Sequence, residues 1–359
     1  MAAKTRSGAA RIAVDIGGTF TDLVLVRDGR VAANAKVLTT SSDPSVAVET
    51  GLLRLMEQVS PEDVAEVVHG TTLVANALIE RKGAITALVA TKGFRDTVTI
   101  RRELRYDLYD LFLEMPEPLA RRRLRYEVTE RILADGTIAV ALEPEEVRSV
   151  ARRMKRDGVE AVAVSFLHSY RNPDHEREVG RILDEEAPGL AVSLSSDVSP
   201  ELGEFARTST AIANAYVLPL IDGYLEMLQK RLEGLGLRGP LRIMLSTGGG
   251  GIAGVDTARR FPVRLLESGP AAGAVSAGFW GSRNGRDDVL AFDMGGTTAK
   301  ACLIEKGVPL VAREFEAARV YRFTKGSGMP VRVPVIDLIE IGAGGGSIAH
   351  VGPFGLPNV

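Results

Sequence analysis

Apolar residues and turn signals alternate closely at the start of the chain. Residues 11–16 predict a buried strand, and residues 23–26 and 31–38 predict two further strands. The dipeptide Asp28-Gly29 separates the last two, and Asp-Gly between apolar runs is typical of a tight hairpin. The pattern therefore predicts three consecutive strands joined by hairpins, with Gly17-Gly18-Thr19 after the first strand.

Helical and strand patterns then alternate as far as residue 194. A helix is predicted to begin at Asp43-Pro44, because aspartate caps a helix N-terminus and proline suits the first turn. Further strands are predicted at residues 64–68, 85–90, 161–167 and 190–194, and further helices begin at Thr72, Glu143-Pro144 and Asn172-Pro173. Strands that alternate with helices indicate a mostly parallel, covered sheet. Three hairpin strands followed by such alternation are the pattern of a ribonuclease H-like domain.

The second half of the chain begins with a long helical pattern from Ser199-Pro200 to about Leu232, with a break expected near Pro219. We place a domain boundary before this helix. Beyond it, strands are predicted at residues 241–245, 289–292 and 336–341, each followed by a glycine-rich loop. The expected organisation is a disordered tail over residues 1–10, a first domain over residues 11–198 and a second domain over residues 199–359.

Residues 101–125 interrupt the regular pattern. They contain seven arginines, scattered acidic and aromatic residues, and the sequence Met-Pro-Glu-Pro at residues 115–118. We interpret this segment as an inserted surface loop. Two alternatives remain open for it, a flap that binds an anion or a partner and a solvated connection.

Composition and charge narrow the classes of function. A chain of 359 residues can bury the cores of two domains, and a formal net charge of −2 gives no electrostatic reason to expect nucleic acid or an anionic membrane as the main partner. Cys302 is the one cysteine, so no internal disulfide forms, which favours a reducing cytosol. No segment has the apolar length of a membrane helix, and residues 1–10 lack the apolar stretch of a signal peptide. We therefore expect a cytoplasmic protein.

One nine-residue pattern occurs twice, at Val14–Asp22 and at Phe292–Lys300. Each copy follows a predicted buried strand, contains one acid and two glycines at the same offsets, and continues with threonines. A second apolar run follows each copy, so the pattern predicts a strand–turn–strand unit used twice. A single Asp-x-Gly-Gly turn is commonly only a turn, but two copies after matching strands are much harder to obtain by chance.

The residue types of this repeat suit a polyphosphate. Glycines let backbone N–H groups approach a phosphate closely, and threonine hydroxyls add donors. An aspartate would repel phosphate, but it can hold a divalent cation, directly or through water, that the phosphates also bind. The repeat is not a P-loop, because no Gly-Lys-Ser/Thr follows, and it is not a dinucleotide fingerprint, because a strand follows instead of a helix.

The two loops resemble the phosphate-1 and phosphate-2 motifs of the actin, sugar-kinase and heat-shock chaperone ATPase superfamily, and Glu267–Gly273 resembles its first connecting helix. Within that superfamily the chain is most similar to the A subunit of the hydantoinase/oxoprolinase family. The motifs that carry the resemblance are Asp15–Asp22, His69–Thr72, Thr91–Asp96, Glu267–Gly273, Asp293–Thr298 and Ile341–Ile348. The resemblance implies an α/β fold of two ribonuclease H-like domains of the actin-like ATPase type. Family A subunits are longer, so the second domain is expected to be incomplete.

The resemblance also implies a function. It points to a subunit of an ATP-dependent cyclic-amide hydrolase for 5-oxoproline or hydantoins, with ATP and Mg²⁺ as cofactors. Phosphorylation of the amide oxygen would make that oxygen a good leaving group. Two alternatives remain open, a subunit of an ATP-dependent ketone carboxylase and a nucleotide-gated binding or activator protein. The implied partner is a hydantoinase B-type subunit in a hetero-oligomer.

The resemblance assigns roles to particular residues. Asp15 and Asp293 are expected to hold Mg²⁺, and together with His69 they are the candidate catalytic residues. His69 could assist the transferred phosphoryl group if it faces the same cleft, but a histidine that caps the next helix or bonds the loop is an equally open alternative. The residues expected to contact the nucleotide are Gly17, Gly18, Thr19, Thr21, Gly295, Gly296, Thr297, Thr298, Gly269, Gly344 and Gly345.

Overall fold

The computed structural model has a mixed α/β fold. The structure describes residues 10–40, 42–103, 105–246, 250–295, 299–321, 324–341, 343–352 and 355–358. Ala10, the last residue of the expected tail, is buried and is the first residue of a strand. Residues 1–9 lie outside the described residues.

The bounds of the elements follow in chain order. Up to residue 198 they are β1 (Ala10–Ile16), β2 (Phe20–Arg27), β3 (Arg30–Leu38), α1 (Pro44–Leu55), β4 (Val64–Thr71), α2 (Leu73–Ile79), β5 (Thr86–Thr91), α3 (Thr97–Ile100), β6 (Arg125–Val128), β7 (Arg131–Ile132), β8 (Ile138–Val140), α4 (Pro144–Arg156), β9 (Ala161–Ser165), α5 (Asp174–Glu186), β10 (Ala191–Leu194) and α6 (Ser195–Val198). From residue 204 they are α7 (Glu204–Gly234), β11 (Leu241–Leu245), β12 (Gly251–Gly254), α8 (Val255–Arg260), α9 (Ser268–Arg283), β13 (Val289–Met294), β14 (Ala299–Glu305), β15 (Val308–Pro309), β16 (Val311–Ala312), β17 (Phe315–Ala317), β18 (Met329–Val331), β19 (Val335–Ile336), β20 (Ile339–Ile341), β21 (His350–Val351) and β22 (Pro357–Asn358). Short 3-10 helices span Pro61–Asp63, Arg122–Leu124 and Pro262–Leu265.

The largest sheet has the strand order β12-β11-β4-β1-β2-β3. Strands β1, β2 and β3 form the predicted antiparallel hairpins, and β4 and β11 continue the sheet in parallel. Strand β12 closes the other edge as the antiparallel partner of β11. Because β11 follows residue 199, this sheet takes strands from both sides of the predicted domain boundary.

The alternation of side chains along β1 decides which face carries polar chemistry. Ile12, Val14 and Ile16 are buried in the core together with residues of α1 and α7, whereas Arg11 and Asp15 are exposed. Successive side chains of a strand point to opposite faces. Asp15 therefore lies on the face of the sheet opposite to this core.

The second sheet is parallel throughout, in the order β10-β9-β5-β6. Its strands β5 and β9 are buried along their whole length, as expected for a sheet covered on both faces. Helix α7, 31 residues long, packs against β9 and β10 and also against α1, and so joins the two sheets.

The predicted break at Pro219 is wrong, because α7 is continuous there. The Ala84 N–H donates to the Tyr216 carbonyl of α7 at 2.9 Å, three residues before the proline. Packing of α7 against its neighbours outweighs the loss of the helical hydrogen bond that proline cannot donate.

The third sheet contains the second copy of the repeat. Strand β14 pairs with β13 on one side and with β15 and β20 on the other. The single strand predicted at residues 336–341 is in fact two strands, because β19 pairs with β16 and β20 pairs with β14. Between them the Asp337 N–H donates to the Leu310 carbonyl at 2.8 Å, where the chain passes from one sheet to the other.

Two further expectations concern the surface. Of the loop predicted at residues 101–125, residues 105–121 contain no regular secondary structure, whereas Arg122–Leu124 form a 3-10 helix and Arg125 begins β6. Within the part of the chain that the structure describes, no helix is both long enough and apolar enough for a membrane crossing.

Candidate active site

The two copies of the repeated sequence fold into the same strand–turn–strand unit. In the β1–β2 hairpin Asp15 lies opposite Asp22, and in the β13–β14 hairpin Asp293 lies opposite Lys300. Residues directly opposite each other in an antiparallel pair lie on the same face of the sheet. Each hairpin therefore presents two charged side chains on one face, next to its glycine turn. The residues of the second turn that lie outside the described residues are Gly296, Thr297 and Thr298.

The glycine turn of the first hairpin is held by its own backbone and by Thr39. The Gly17 N–H donates to the Phe20 carbonyl at 2.9 Å. The Thr39 hydroxyl donates to the Gly17 carbonyl at 2.9 Å, and the Thr39 N–H donates to the Thr19 carbonyl at 2.9 Å. Gly18 and Thr19 are exposed, so the turn is open to a ligand. No sequence motif points to Thr39, because its contact with the turn depends on where β3 ends.

Thr21 lies on the opposite face of this hairpin from Asp15. It is fully buried opposite Ile16, and its hydroxyl is 3.0 Å from the Thr39 hydroxyl. The structure therefore does not bring Thr21 to the face that carries Asp15 and the open turn. Its hydroxyl supports the turn through Thr39 instead.

His69 also lies away from the charged face. It pairs with Val14 in the parallel register of β1 and β4, and its side chain is fully buried. Its Nε2 atom is 2.8 Å from the hydroxyl of Tyr224 on α7. Burial lowers the pKa of His69 to about 4, so the ring is neutral at physiological pH. His69 thus ties β4 to α7 inside the core, and the structure does not bring it to Asp15.

The N-terminus of α9 meets the Asp15 side chain. A Cβ atom added to Gly269 would lie 3.0 Å from Asp15 Oδ1, and one added to Gly70 would lie 3.1 Å from the same oxygen. Glycine at both positions therefore leaves room for the carboxylate. The buried Ser268 hydroxyl accepts from the Thr71 N–H at 3.1 Å and donates to the Thr71 carbonyl at 2.9 Å. These bonds hold the start of α9 against the end of β4.

An ion pair with little exposure to solvent lies at the same helix terminus. Lys300 donates to Glu267, and only 15% and 6% of the respective side chains are exposed. Glu267 has a φ of 59°, a left-handed conformation that costs a non-glycine residue about 1–2 kcal/mol. The sequence contains a signal for Lys300, because it follows Asp293 at the spacing that separates the two aspartates of the first hairpin.

The glycine loop after β20 contacts the second hairpin. The Gly345 N–H donates to the Gly295 carbonyl at 2.9 Å. Within the loop, the Gly344 N–H donates to the Ser347 hydroxyl at 3.0 Å, and the Ser347 N–H donates to the Gly344 carbonyl at 2.9 Å. The structure thus brings Gly344 and Gly345 to the turn that begins at Gly295.

The start of α9 brings the two hairpins together, because Gly269 contacts Asp15 and Glu267 is paired with Lys300, which lies opposite Asp293. We call the space between the two hairpins the cleft. Burial raises the pKa of the Asp15 carboxyl above its usual value, and the charges of Asp22 and Asp293 raise it further. Asp293 belongs to the other hairpin, so its charge acts on Asp15 across the cleft. Asp15 is nevertheless accessible to solvent.

Two family models match this chain. The model of the hydantoinase/oxoprolinase N-terminal region matches residues 11–187, and the hydantoinase/oxoprolinase model matches residues 207–355. The chain belongs to the hydantoinase/oxoprolinase family. This confirms the resemblance that the sequence motifs indicate.

Three relatives of this hydantoinase/oxoprolinase chain have informative names. The caprolactamase subunit alpha of Pseudomonas jessenii is 33% identical over 97% of this chain and 50% of its own length. The acetophenone carboxylase gamma subunit of Aromatoleum aromaticum is 30% identical over 96% of this chain and 47% of its own length. The 5-oxoprolinase of Saccharomyces cerevisiae is 30% identical over 96% of this chain and 29% of its own length. The chain therefore spans about half the length, or less, of these relatives.

Two solved structures share the fold of this hydantoinase/oxoprolinase chain. The ATP-dependent caprolactamase from Pseudomonas jessenii matches with a TM-score of 0.82 at 32% identity, over 96% of this chain and 50% of that chain. Nucleotide-free acetone carboxylase matches with a TM-score of 0.81 at 24% identity, over 99% of this chain and 51% of that chain. The mixed α/β fold is therefore similar to those of caprolactamase and acetone carboxylase.

The carboxylates of this cleft would suit a divalent cation that also binds phosphate oxygens. The carboxylates of Asp22 and Asp293 act on Asp15, so a cation between the hairpins would relieve their repulsion. Among the described residues, no three His, Cys, Asp or Glu side chains are arranged to enclose a metal ion. Oxygen atoms of phosphate and water would complete the coordination, which is how proteins usually hold Mg²⁺.

Proposed function

We propose that this chain binds ATP and Mg²⁺ for a cyclic-amide hydrolase of the hydantoinase/5-oxoprolinase type. The observation that carries the proposal is that the start of α9 joins two matching hairpins, since Gly269 contacts Asp15 and Glu267 is paired with Lys300, the residue opposite Asp293. The finer fold that belongs to the proposal is two ribonuclease H-like domains of the actin-like ATPase type, with the nucleotide between them. The ATP-dependent caprolactamase and the 5-oxoprolinase among the relatives support it.

Each part of the cleft has a role in this proposal. Asp15 and Asp293 hold Mg²⁺, directly or through water, and the metal when bound neutralises phosphate charge. Gly269 at the N-terminus of α9, and the loop of Gly344 and Gly345, line the same space. The residues that donate to phosphate are Gly18, Thr19, Gly295, Gly296, Thr297 and Thr298, whereas the Gly17 N–H is already bonded to the Phe20 carbonyl and shapes the turn. His69 and Thr21 have no direct role, because both side chains are buried away from the cleft.

Phosphorylation would make an amide more reactive toward water. Amide resonance makes the carbonyl carbon a poor electrophile, so water alone opens the ring slowly. Transfer of the terminal phosphoryl group of ATP to the amide oxygen would turn that oxygen into a good leaving group. The chain's own contribution is to position the reactants and to neutralise charge.

A second candidate function is that of a subunit of an ATP-dependent ketone carboxylase. The 30% identity to the acetophenone carboxylase gamma subunit favours it. In that reaction the phosphorylated atom would be an enol oxygen, and the cleft would have the same role. The two candidates differ in the small molecule that stimulates ATP turnover.

We also propose that the chain works in a hetero-oligomer with a hydantoinase B-type subunit. Two of the relatives are named as subunits. The loop between α3 and β6 supports a partner surface, because Leu108, Tyr109, Leu111 and Phe112 are between 72% and 94% exposed. Large apolar side chains grouped in this way on one loop are typical of an interaction surface. This favours the partner-binding alternative for residues 101–125.

The test is ATP turnover by the complex of the full-length protein with its B-type partner. Hydantoin, 5-oxoproline, or acetone with bicarbonate is supplied in turn, with and without Mg²⁺. We expect Mg²⁺-dependent ADP formation that is coupled to opening of a cyclic amide. Stimulation by acetone and bicarbonate alone would favour the carboxylase, and stimulation by a protein without any small molecule would identify a nucleotide-gated regulator.

Gly269→Ala is expected to lower ATP turnover of the complex about tenfold, because the added methyl group would displace the Asp15 carboxylate. The matched control is Gly273→Ala, one turn further along α9, where nothing lies within 4 Å of an added Cβ. Both changes add the same methyl group to one helix, and turnover is compared at a temperature at which both variants are folded. Equal kcat in the two variants would show that turnover does not depend on the position of Asp15.

A further inference from the structure

A cavity of about 340 Å³ lies beside the second hairpin. It is enclosed by the end of α2 and by segments within residues 312–319 and 335–340. Ile79 and Phe315 contribute apolar surface, and Glu267 and Lys300 contribute polar groups. Cavities of this size and mixed character hold small organic molecules.

Lys300 connects this cavity to the cleft. It lies directly opposite Asp293, so both residues are on the hairpin face that carries the proposed Mg²⁺ site. The Lys300 side chain also lines the cavity, where it is paired with Glu267. An ammonium group has three N–H donors, so Lys300 can donate to a ligand oxygen and remain bonded to Glu267. An amide oxygen held in this way lies on the side of the cavity that adjoins the cleft.

The charged part of the cavity wall is mainly acidic. Its charged residues are Glu267, Glu314, Glu316, Asp337, Glu340, Lys300 and Arg319. Both cations already have partners, since Lys300 is paired with Glu267 and Arg319 is 3.1 Å from Glu316. The charge of each cation that the structure describes in this wall is therefore already balanced by an acidic partner.

We propose that this cavity binds the cyclic amide and selects an uncharged ring over one that carries a carboxylate. The inference rests on the proposed function. Glu314 and Glu316 are paired with Arg102 and Arg319, whereas Glu267 and Glu340 share Lys300 and Asp337 has no ion-pair partner among the described residues. A carboxylate in the cavity would therefore add to an excess of negative charge, which is unfavourable. A neutral lactam needs a donor for its oxygen, which Lys300 supplies, and apolar contact for its ring, which Ile79 and Phe315 supply.

Two lactams of the same ring size test the proposal. 5-Oxoproline and 2-pyrrolidinone share a five-membered lactam ring and differ by one carboxylate. For the full-length protein in complex with its B-type partner, kcat/KM should be about 100-fold higher for 2-pyrrolidinone. Equal values, or a preference for 5-oxoproline, would overturn the selection and leave the proposed function intact. A complex that hydrolyses no cyclic amide would overturn both.

A charge reversal in the wall tests where the substrate lies. Asp337 has no ion-pair partner among the described residues, so Asp337→Lys adds a cation to the cavity without breaking such a pair. The kcat/KM for 5-oxoproline, divided by that for 2-pyrrolidinone, should rise about tenfold. The matched control is Asp184→Lys, an exposed position on α5 outside this cavity, which should leave the ratio unchanged. An unchanged ratio in Asp337→Lys would contradict the assignment of the substrate to this cavity.

Discussion

Asp15→Asn is expected to lower ATP turnover of the complex about 100-fold or more, and to raise the free energy of unfolding at pH 7. Turnover falls because the amide carries no charge with which to hold a cation. Stability rises because the folded protein raises the pKa of the Asp15 carboxyl above the 3.8 of an unfolded chain, so its ionisation opposes folding. Asparagine has nearly the shape of the protonated side chain and no charge.

The pH dependence of this stabilisation has a definite sign. Below pH 3.8 the Asp15 carboxyl is protonated in both the folded and the unfolded chain, and it does not oppose folding. As the pH rises from 3.8 through the folded-state pKa, the wild type loses stability, and the loss is complete once the pH exceeds that pKa. The gain from Asp15→Asn, measured by chemical denaturation, should therefore be largest above the folded-state pKa and approach zero as the pH falls to 3.8.

Asp63→Asn is the matched control. Asp63 is an exposed aspartate directly before β4, at the end of the sheet remote from Asp15, and its change should leave stability and turnover unaltered. Mg²⁺ alone should raise the melting temperature of the wild type more than that of Asp15→Asn, because the cation relieves repulsion between Asp15 and Asp293. Retained turnover in Asp15→Asn, or a stability below that of the wild type at pH 7, would contradict this role.

The placement of side chains in the first hairpin can be predicted from the local sequence. Alternation along β1 decides that Asp15 is exposed while Val14 is buried, and the turn centred after Gly18 places Asp22 opposite Asp15. The same alternation along β2 places Thr21 on the buried face, so the position of Thr21 can be derived once the turn is known. Applied to the second copy, it places Lys300 beside Asp293.

Other parts of the site depend on contacts between distant segments. The face on which His69 lies is set by the parallel register of β4 with β1, and its hydrogen-bond partner Tyr224 comes 155 residues later. The position of α9 depends on Ser268, whose partner Thr71 is 197 residues away. Strand β11 belongs to the largest sheet beside β4, although the residues between β4 and β11 form the whole parallel sheet. No local pattern predicts such pairings, since they are decided by the packing of the complete fold.

Acidification is expected to destabilise the protein through His69, by about 3 kcal/mol between pH 6.5 and pH 4. Burial lowers the pKa of His69 to about 4 in the folded protein, whereas an unfolded histidine takes up its proton near pH 6.5. Between these values the unfolded chain binds a proton that the folded chain does not, so falling pH favours unfolding. Above pH 6.5 the effect is absent, and below about pH 4 it is complete.

The double variant His69→Phe/Tyr224→Phe isolates this effect. It removes both partners of the 2.8 Å hydrogen bond, so neither polar group is left buried without a partner, and stability at pH 7 should stay near that of the wild type. Its free energy of unfolding should then lack the additional fall toward pH 4, whereas Tyr224→Phe alone should keep it. An unchanged pH dependence in the double variant would contradict the lowered pKa. Loss of ATP turnover in a folded double variant would return His69 to the candidate catalytic residues.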